Sequence, residues 1–312
     1  MNERYGNDYL TCIGKEVTYG TEQTTPEVVL PDKCEMKKVV VPIEISQKTG
    51  SLVKQDTEMV AGYTAGEVVL SGEVVPGATA DLAHGILLEA LMHVSATPFI
   101  AQAIGTAPFS YSIHQYFNDD KGHKGLGCVL ASLELAGSTG GMITYSTTMR
   151  AKSVAFEQDF SVNPTDPFAS IPSFAPAIFA LTTLTTLGGE TNITKLNSFS
   201  LSLSNLFADD ALVYQNANVK AQEILTGLEG SFNVEWNYDK TNNVDVEGKL
   251  MVDALTSIVF AITDGANTWT FTLFGKITEY IPADPDKGIF VSSLQMTLME
   301  DGSNEAISIA IT

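Results

Sequence analysis

Basic side chains are scarce in this chain: seventeen Lys and Arg stand against thirty-seven Asp and Glu, a formal net charge of −20. That is the wrong sign for neutralising phosphates and excludes a tight nucleic-acid binder. Cysteine is nearly absent. Cys12, Cys34 and Cys128 form an odd set without C-x-x-C spacing, which excludes a disulfide framework or a zinc site and fits a reducing compartment. Long apolar runs are missing too: Gly85 to Met92 is interrupted by Glu89 and falls far short of the roughly 20 residues that cross a bilayer. The first thirty residues lack a charged segment followed by an apolar one, so export through a signal peptide is not expected.

Catalytic signatures are equally wanting. No G-x-S-x-G, Walker or dinucleotide fingerprint occurs, and the four histidines have no visible nucleophile partner. His114, Asp119, Asp120, His123 and Cys128 lie near one another in sequence, but their spacing fits no zinc template. Asp284-Pro285-Asp286-Lys287-Gly288 reads as a turn, because the twelve-residue calcium pattern is absent. The expectation is therefore a chain with no catalytic, cofactor-binding or metal-binding residues.

What is present is a globular composition, 44% hydrophobic and 17% charged over 312 residues, enough for one large or two medium cores. Residues 1–33 are polar and read as an extended arm. Met36 to Ile45 is a β-branched run in which Pro42 predicts an edge strand or a bulge. Ser46 to Met59 reads as a long loop, and Glu67 to Val75 as a strand. Thr79-Ala80-Asp81 can cap a helix from Leu82 to His93, with Leu82, Ile86, Leu87, Ala90 and Leu91 on one stripe. Phe109, Tyr111 and Ile113 then alternate with Ser110 and Ser112, a period that only a strand can use. Cys128 to Leu135 and Met142 to Met149 read as a hairpin turning at Ala136 to Gly141.

Four prolines, Pro164, Pro167, Pro172 and Pro176, crowd the region before Gly188-Gly189, which places a linker at 159–192 between domains at 34–158 and 193–312. The second half follows the first in order. Asn197 to Ser204 is a strongly alternating strand, Asn205 to Gly227 a long segment and Gly230 to Tyr238 a strand. A second helix is predicted from Val246 to Ile258. Trp269 to Leu273 matches Phe109 to Ile113, Asp253 to Leu255 matches Glu89 to Leu91, and Ser293 to Met296 matches Ser132 to Leu135. A final hairpin is expected at Glu300 to Ser303, where Gly137-Ser138 turned. The common order at an offset of roughly 160 residues is the mark of internal duplication.

Specific phrases carry a resemblance. Val17 to Pro26, V-T-Y-G-T-E-Q-T-T-P, is similar to the N-terminal arm of siphophage tail tube (major tail) proteins. Val69 to Val94, a strand with Ser71-Gly72-Glu73 leading to a helix, looks like their core, and Gly127 to Leu135 resembles their glycine-opened strand. The resemblance implies a mainly β fold, here two tandem β-sandwich or half-barrel domains each carrying one packed helix, whose copies join edge to edge into rings. In that family single-fold subunits form hexamers, whereas tandem subunits form trimers that imitate six-fold rings, so a homotrimer is expected, with a hexamer as the alternative. No immunoglobulin-like decoration is expected after Ile311.

The implied role is a non-enzymatic virion protein, assembled in the host cytoplasm and stacked into the hollow tube through which DNA leaves. It also implies a tape measure protein and the tail terminator and distal tail proteins as partners, and no membrane. On this reading Ser198, Ser200, Ser202 and Ser204, with Thr144 and Ser146 in the first half, are candidates to face the lumen. The acidic excess would repel phosphates over roughly 8 Å at ~0.15 M salt. Tyr19, Thr21, Glu22, Lys48, Lys54, Asp56, Asp209 and Asp210, on the arm and long segments, are candidates for ring stacking. The alternatives from other classes are a secreted β-rich carbohydrate-binding protein and a glycosidase using two carboxylates; a contractile or secretion-system tube is a near neighbour.

Overall fold

The computed structural model describes residues 10–23, 27–29, 31–44, 59–74, 84–94, 98–100, 107–117, 121–138, 141–159, 196–208, 224–237, 255–263, 268–284 and 291–312. The segments expected to be the linker, the caps of the first helix and most of the second helix lie outside them. In chain order the strands are β1 (Leu10–Lys15), β2 (Glu27–Val29), β3 (Lys33–Glu44), β4 (Met59–Glu73), β5 (Phe99–Ile100), β6 (Tyr111–Tyr116), β7 (Lys121–Ser138), β8 (Thr144–Ala151) and β9 (Ser153–Asp159). The series continues with β10 (Leu196–Phe207), β11 (Leu225–Asn237), β12 (Thr256–Thr263), β13 (Thr268–Asp284), β14 (Val291–Leu298) and β15 (Ile307–Ile311). Helix α1 (Gly85–Met92) falls between β4 and β5. The fold is mainly β and antiparallel, and no helix among the described residues is long and apolar enough to cross a membrane.

Eight strands run side by side in the order β3-β4-β8-β7-β10-β11-β14-β13. Pairing puts Gly72, Tyr145, Leu135, Leu201, Phe232, Met296 and Ile277 on one rung, and every one is buried. The neighbouring rung holds Lys33, Ser71, Ser146, Glu134, Ser202, Ser231, Thr297 and Lys276, and none is buried. Since side chains alternate across a pleated sheet, this contrast defines one apolar and one polar face across the whole sheet.

A second layer covers the apolar face. Strands β7 and β13 are long enough to serve both layers. The first part of β7 lies between β6 and β9, its second part between β8 and β10. Likewise the first part of β13 lies between β12 and β15, and its second part pairs with β14. Each turns its corner near a glycine and next to a bulge, at Leu130/Ser132 in β7 and Ile277/Glu279 in β13, because an extra residue bends a strand from one layer to the other. A Cβ on Gly275 would run into the Thr297 carbonyl oxygen. Gly127, at φ +63°, also packs under Tyr19 and Lys152, where a Cβ would lie 2.7 Å from Lys152 Cβ.

Strands β8 and β9 follow the same side of β7 with one residue, Lys152, between them. Strands β14 and β15 follow one side of β13 in the same way, interrupted by residues 299–306. Phe274 closes that excursion, donating its N–H to Ala306 and accepting one from Met299. The expected final hairpin is therefore corrected: β14 and β15 do not pair with each other. The pairing also matches β13 with β7 and β12 with β6, so the expected equivalence of Trp269–Leu273 with Phe109–Ile113 does not hold.

The helix predicted over Val246 to Ile258 is corrected at its end. Thr256 to Ile258 open β12, where Ile258, Phe260 and Ile262 alternate inward and are buried. Phe260 stacks on Phe271 at 4.6 Å and on Phe232 at 5.2 Å, joining the two layers of the second half. The first helix is present, but its described part begins at Gly85, with no side-chain cap from His84, and all eight of its residues are buried. Among the described residues, the first half's core thus includes a helix and the second half's a stack of aromatic rings. Pro42 sits at a register shift in β3, as its missing amide hydrogen predicts.

Candidate functional site

The polar face of the eight-strand sheet gathers the residues predicted to line a lumen. Ser198, Ser200, Ser202 and Ser204 stand on β10, between Glu229, Ser231, Asn233 and Glu235 of β11 and Ser132 to Ser138 of β7. Thr144 and Ser146 stand on β8, on the far side of β7, and Ser146 shares a rung with Glu134 and Ser202. Leu201 and Leu203, the alternate residues of β10, are essentially inaccessible to solvent.

The hydroxyls are cross-linked into this surface. Ser198 Oγ donates to Glu235 at 2.9 Å, and Asn233 Nδ2 donates to Ser200 Oγ at 3.3 Å. Glu67, Glu73 and Glu134 share the face with Glu229, Glu235 and Glu279; its lysines, Lys33, Lys37 and Lys276, stand on the outermost strands β3 and β13, and Arg150 stands on β8 opposite Glu67. The arrangement offers hydrogen-bonding groups and an excess of carboxylates over cations across eight strands.

Of the stacking candidates, Tyr19, Thr21 and Glu22 are described, and all three belong to an arm docked on its own chain. Glu22 takes the Lys124 ammonium at 2.9 Å and lies 3.3 Å from His114 Nε2, the Tyr19 ring lies under Lys152, and Thr21 is exposed. Lys48, Lys54, Asp56, Asp209 and Asp210 lie outside the described residues.

The arm is held by a residue that sequence reasoning missed. The buried Glu16 carboxylate accepts from Ser110 Oγ at 2.7 Å, Ser112 Oγ at 2.9 Å, Gly20 N–H at 2.7 Å and Gly127 N–H at 2.8 Å. This explains how Ser110 and Ser112, on the opposite side of the strand from Tyr111 and Ile113, are buried as well. Nearby, Lys15 bridges to Glu89 at 2.8 Å and lies 3.4 Å above the Phe109 ring, and Tyr111 donates to Glu89.

Burial pulls His84 down to about 4, and burial with the Lys15 charge does the same to His93. Neutral His93 accepts the Phe109 N–H at Nδ1, which its protonated form could not. Asn205 of β10 donates to the carbonyls of Leu91 and Leu130, tying helix, first half and second half together. Burial pushes Cys12 and Cys34 up to about 12, far from a reactive thiolate. His123 is wedged between Phe117 and Phe156, away from His114, and among the described residues no group of three or more His, Cys, Asp or Glu could hold a metal.

A family model described as phage tail tube protein matches residues 6–312. The chain belongs to the phage tail tube protein family. Among curated proteins, none matches it. Membership makes it a structural component of a phage tail that assembles with itself into a tube.

Proposed function

We propose that copies of this chain close side by side into rings, that the rings stack into the tail tube of a siphophage, and that the polar face of the eight-strand sheet lines the bore through which the genome passes at ejection. The observation that carries this reading is the uninterrupted polar rung from Lys33 to Lys276, backed from β4 to β13 by a buried one. Hydroxyl, amide and carboxylate groups present phosphates with neutral or like charge, so DNA slides past without binding.

Two quartets with the same pairing order, β3-β4-β8-β7 and β10-β11-β14-β13, support a tandem duplication with domains at 34–158 and 193–312 joined through 159–192. Three copies then supply six quartets, which favours a homotrimeric ring over a hexameric one. The arm and long segments, including Tyr19, Thr21, Glu22, Lys48, Lys54, Asp56, Asp209 and Asp210, mediate ring stacking. The tape measure protein occupies the bore before DNA does, terminator and distal tail proteins cap the ends, and assembly occurs in the host cytoplasm.

Negative-stain electron microscopy of concentrated purified protein tests this directly. Hollow rods or annuli are expected; persistent monomers, above all monomers that bind saccharides, would refute it.

A further inference from the structure

The chain contains one copy of a joint that it can make again with its neighbour. Inside the molecule, the second part of β7 pairs with β10, Ser132 opposite Ser204 and Glu134 opposite Ser202, and so welds the first quartet to the second. Strand β6 occupies the same side of β7 just before β10 takes over, because β8 and β9 share the other side. Strand β13 repeats this arrangement with β12 and β14/β15, but beyond Gly275 no described strand follows β12 on that side. At the opposite end of the sheet, β3 pairs with β4 and with no other described strand.

The bulges fix which residues correspond. Ala131 is the extra residue of β7 and Thr278 that of β13, and in each case the preceding residue pairs with a methionine, Met149 or Met296. Following the ladders onward, Met149 leads through Val68 to Met36, and Met296 leads through Phe232 to Leu201. Met36 of β3 therefore stands where Leu201 stands in β10, and Ile281 of β13 where Glu134 stands in β7.

Resting on the tube reading above, we infer that β13 of one copy pairs antiparallel with β3 of the next in the register of the internal joint, with Ile281 opposite Lys37 and Glu279 opposite Val39. Two independent features fit. Val39 and Ile281 are exposed hydrophobic residues, 44% and 40%, on the polar face, which also carries the exposed Leu206 on β10, and both sit on these outermost strands. In the inferred register they become diagonal neighbours, and so do Glu279 and Lys37, which brings apolar to apolar and anion to cation. Lys37 already pairs with Glu67 at 2.9 Å, so Glu279 extends an existing charge row.

The test uses full-length Lys37→Cys/Ile281→Cys protein. Its two new thiols lie at opposite ends of the sheet, about 30 Å apart at roughly 4.8 Å per strand, so only bonds between copies can form. Directly opposed residues have Cα atoms about 4.5 to 5.5 Å apart, within disulfide range, whereas diagonal ones at about 7 to 8 Å are out of it. Mild oxidation of assembled protein is expected to replace the monomer band with a covalent ladder ending in a closed species, while Val39→Cys/Ile281→Cys remains monomeric on the gel. Val39→Cys/Glu279→Cys, the second opposed pair, gives the same reading if the first variant fails to fold. Tubes that form without a ladder from either opposed pair, or with one only from the diagonal pair, would overturn this joint and leave the tube reading standing. Wild-type protein that forms no rings would overturn both.

Discussion

Among the described residues, the two quartets share a ladder and differ in what packs behind it. In the first, the corner of β7 is clasped by the arm through Glu16 and backed by a buried helix; in the second, the corner of β13 is backed by stacked rings, Phe260 on Phe271 and Phe232, with Trp236 on Tyr280. One pairing order is thus compatible with a polar clasp or an aromatic stack. The backbone ladder carries the shape, and the packing beneath it is free to vary as long as volume is filled and every buried polar group is bonded.

The sharpest way to break the contrast is Phe260→Ala, which empties the centre of the stack. It should cost on the order of 3 to 5 kcal/mol in denaturant unfolding, with hydrogen exchange rising first in β10 to β15. An effect below about 1 kcal/mol would show that the rings are not what joins the layers there.

Acid should act on the other half. His84 and His93 are both held near pKa 4 in the folded chain, below the usual histidine value, so the unfolded chain binds more protons between those limits. Their contribution is present above about pH 6.5 and is lost as pH falls toward 4, roughly 2 kcal/mol per histidine by pH 5. Exchange protection around α1 and β7 is expected to fall before that of β12 and β13; simultaneous loss would contradict the assignment.

The clasp can be removed more gently. Glu16→Gln turns an acceptor of four donors into a group that must point an N–H at some of them, costing about 2 kcal/mol and exposing residues 16–23 to limited proteolysis. The smallest effect on stability belongs to Ser202→Lys on the polar face: within about 0.5 kcal/mol of wild type, yet with retention of DNA by assembled tubes that the parent protein does not show.

Much of this was readable from the residues. Asn197 to Ser204 announces its two faces because one packs on a core and the other does not, and Pro42 announces its bulge because it cannot donate. What the period of two at Phe109 to Ile113 could not show is the partner of its serines, a buried carboxylate nearly a hundred residues earlier. The helical spacing predicted over Val246 to Ile258 runs at its end into a strand, where Ile258, Phe260 and Ile262 alternate inward and Phe260 has rings to stack on. The common order of elements in the two halves was visible in the sequence, but matching by residue type set Trp269–Leu273 of β13 against Phe109–Ile113, whereas in pairing and bulge position β13 stands as β7 does.

The most direct measurement is a cryo-electron microscopy map of assembled tubes at side-chain resolution. The account predicts the serines of β10 and Glu134 of β7 on the wall of the bore, with one sheet running unbroken around it. A map with that face on the outer surface, or buried between stacked rings, would contradict it.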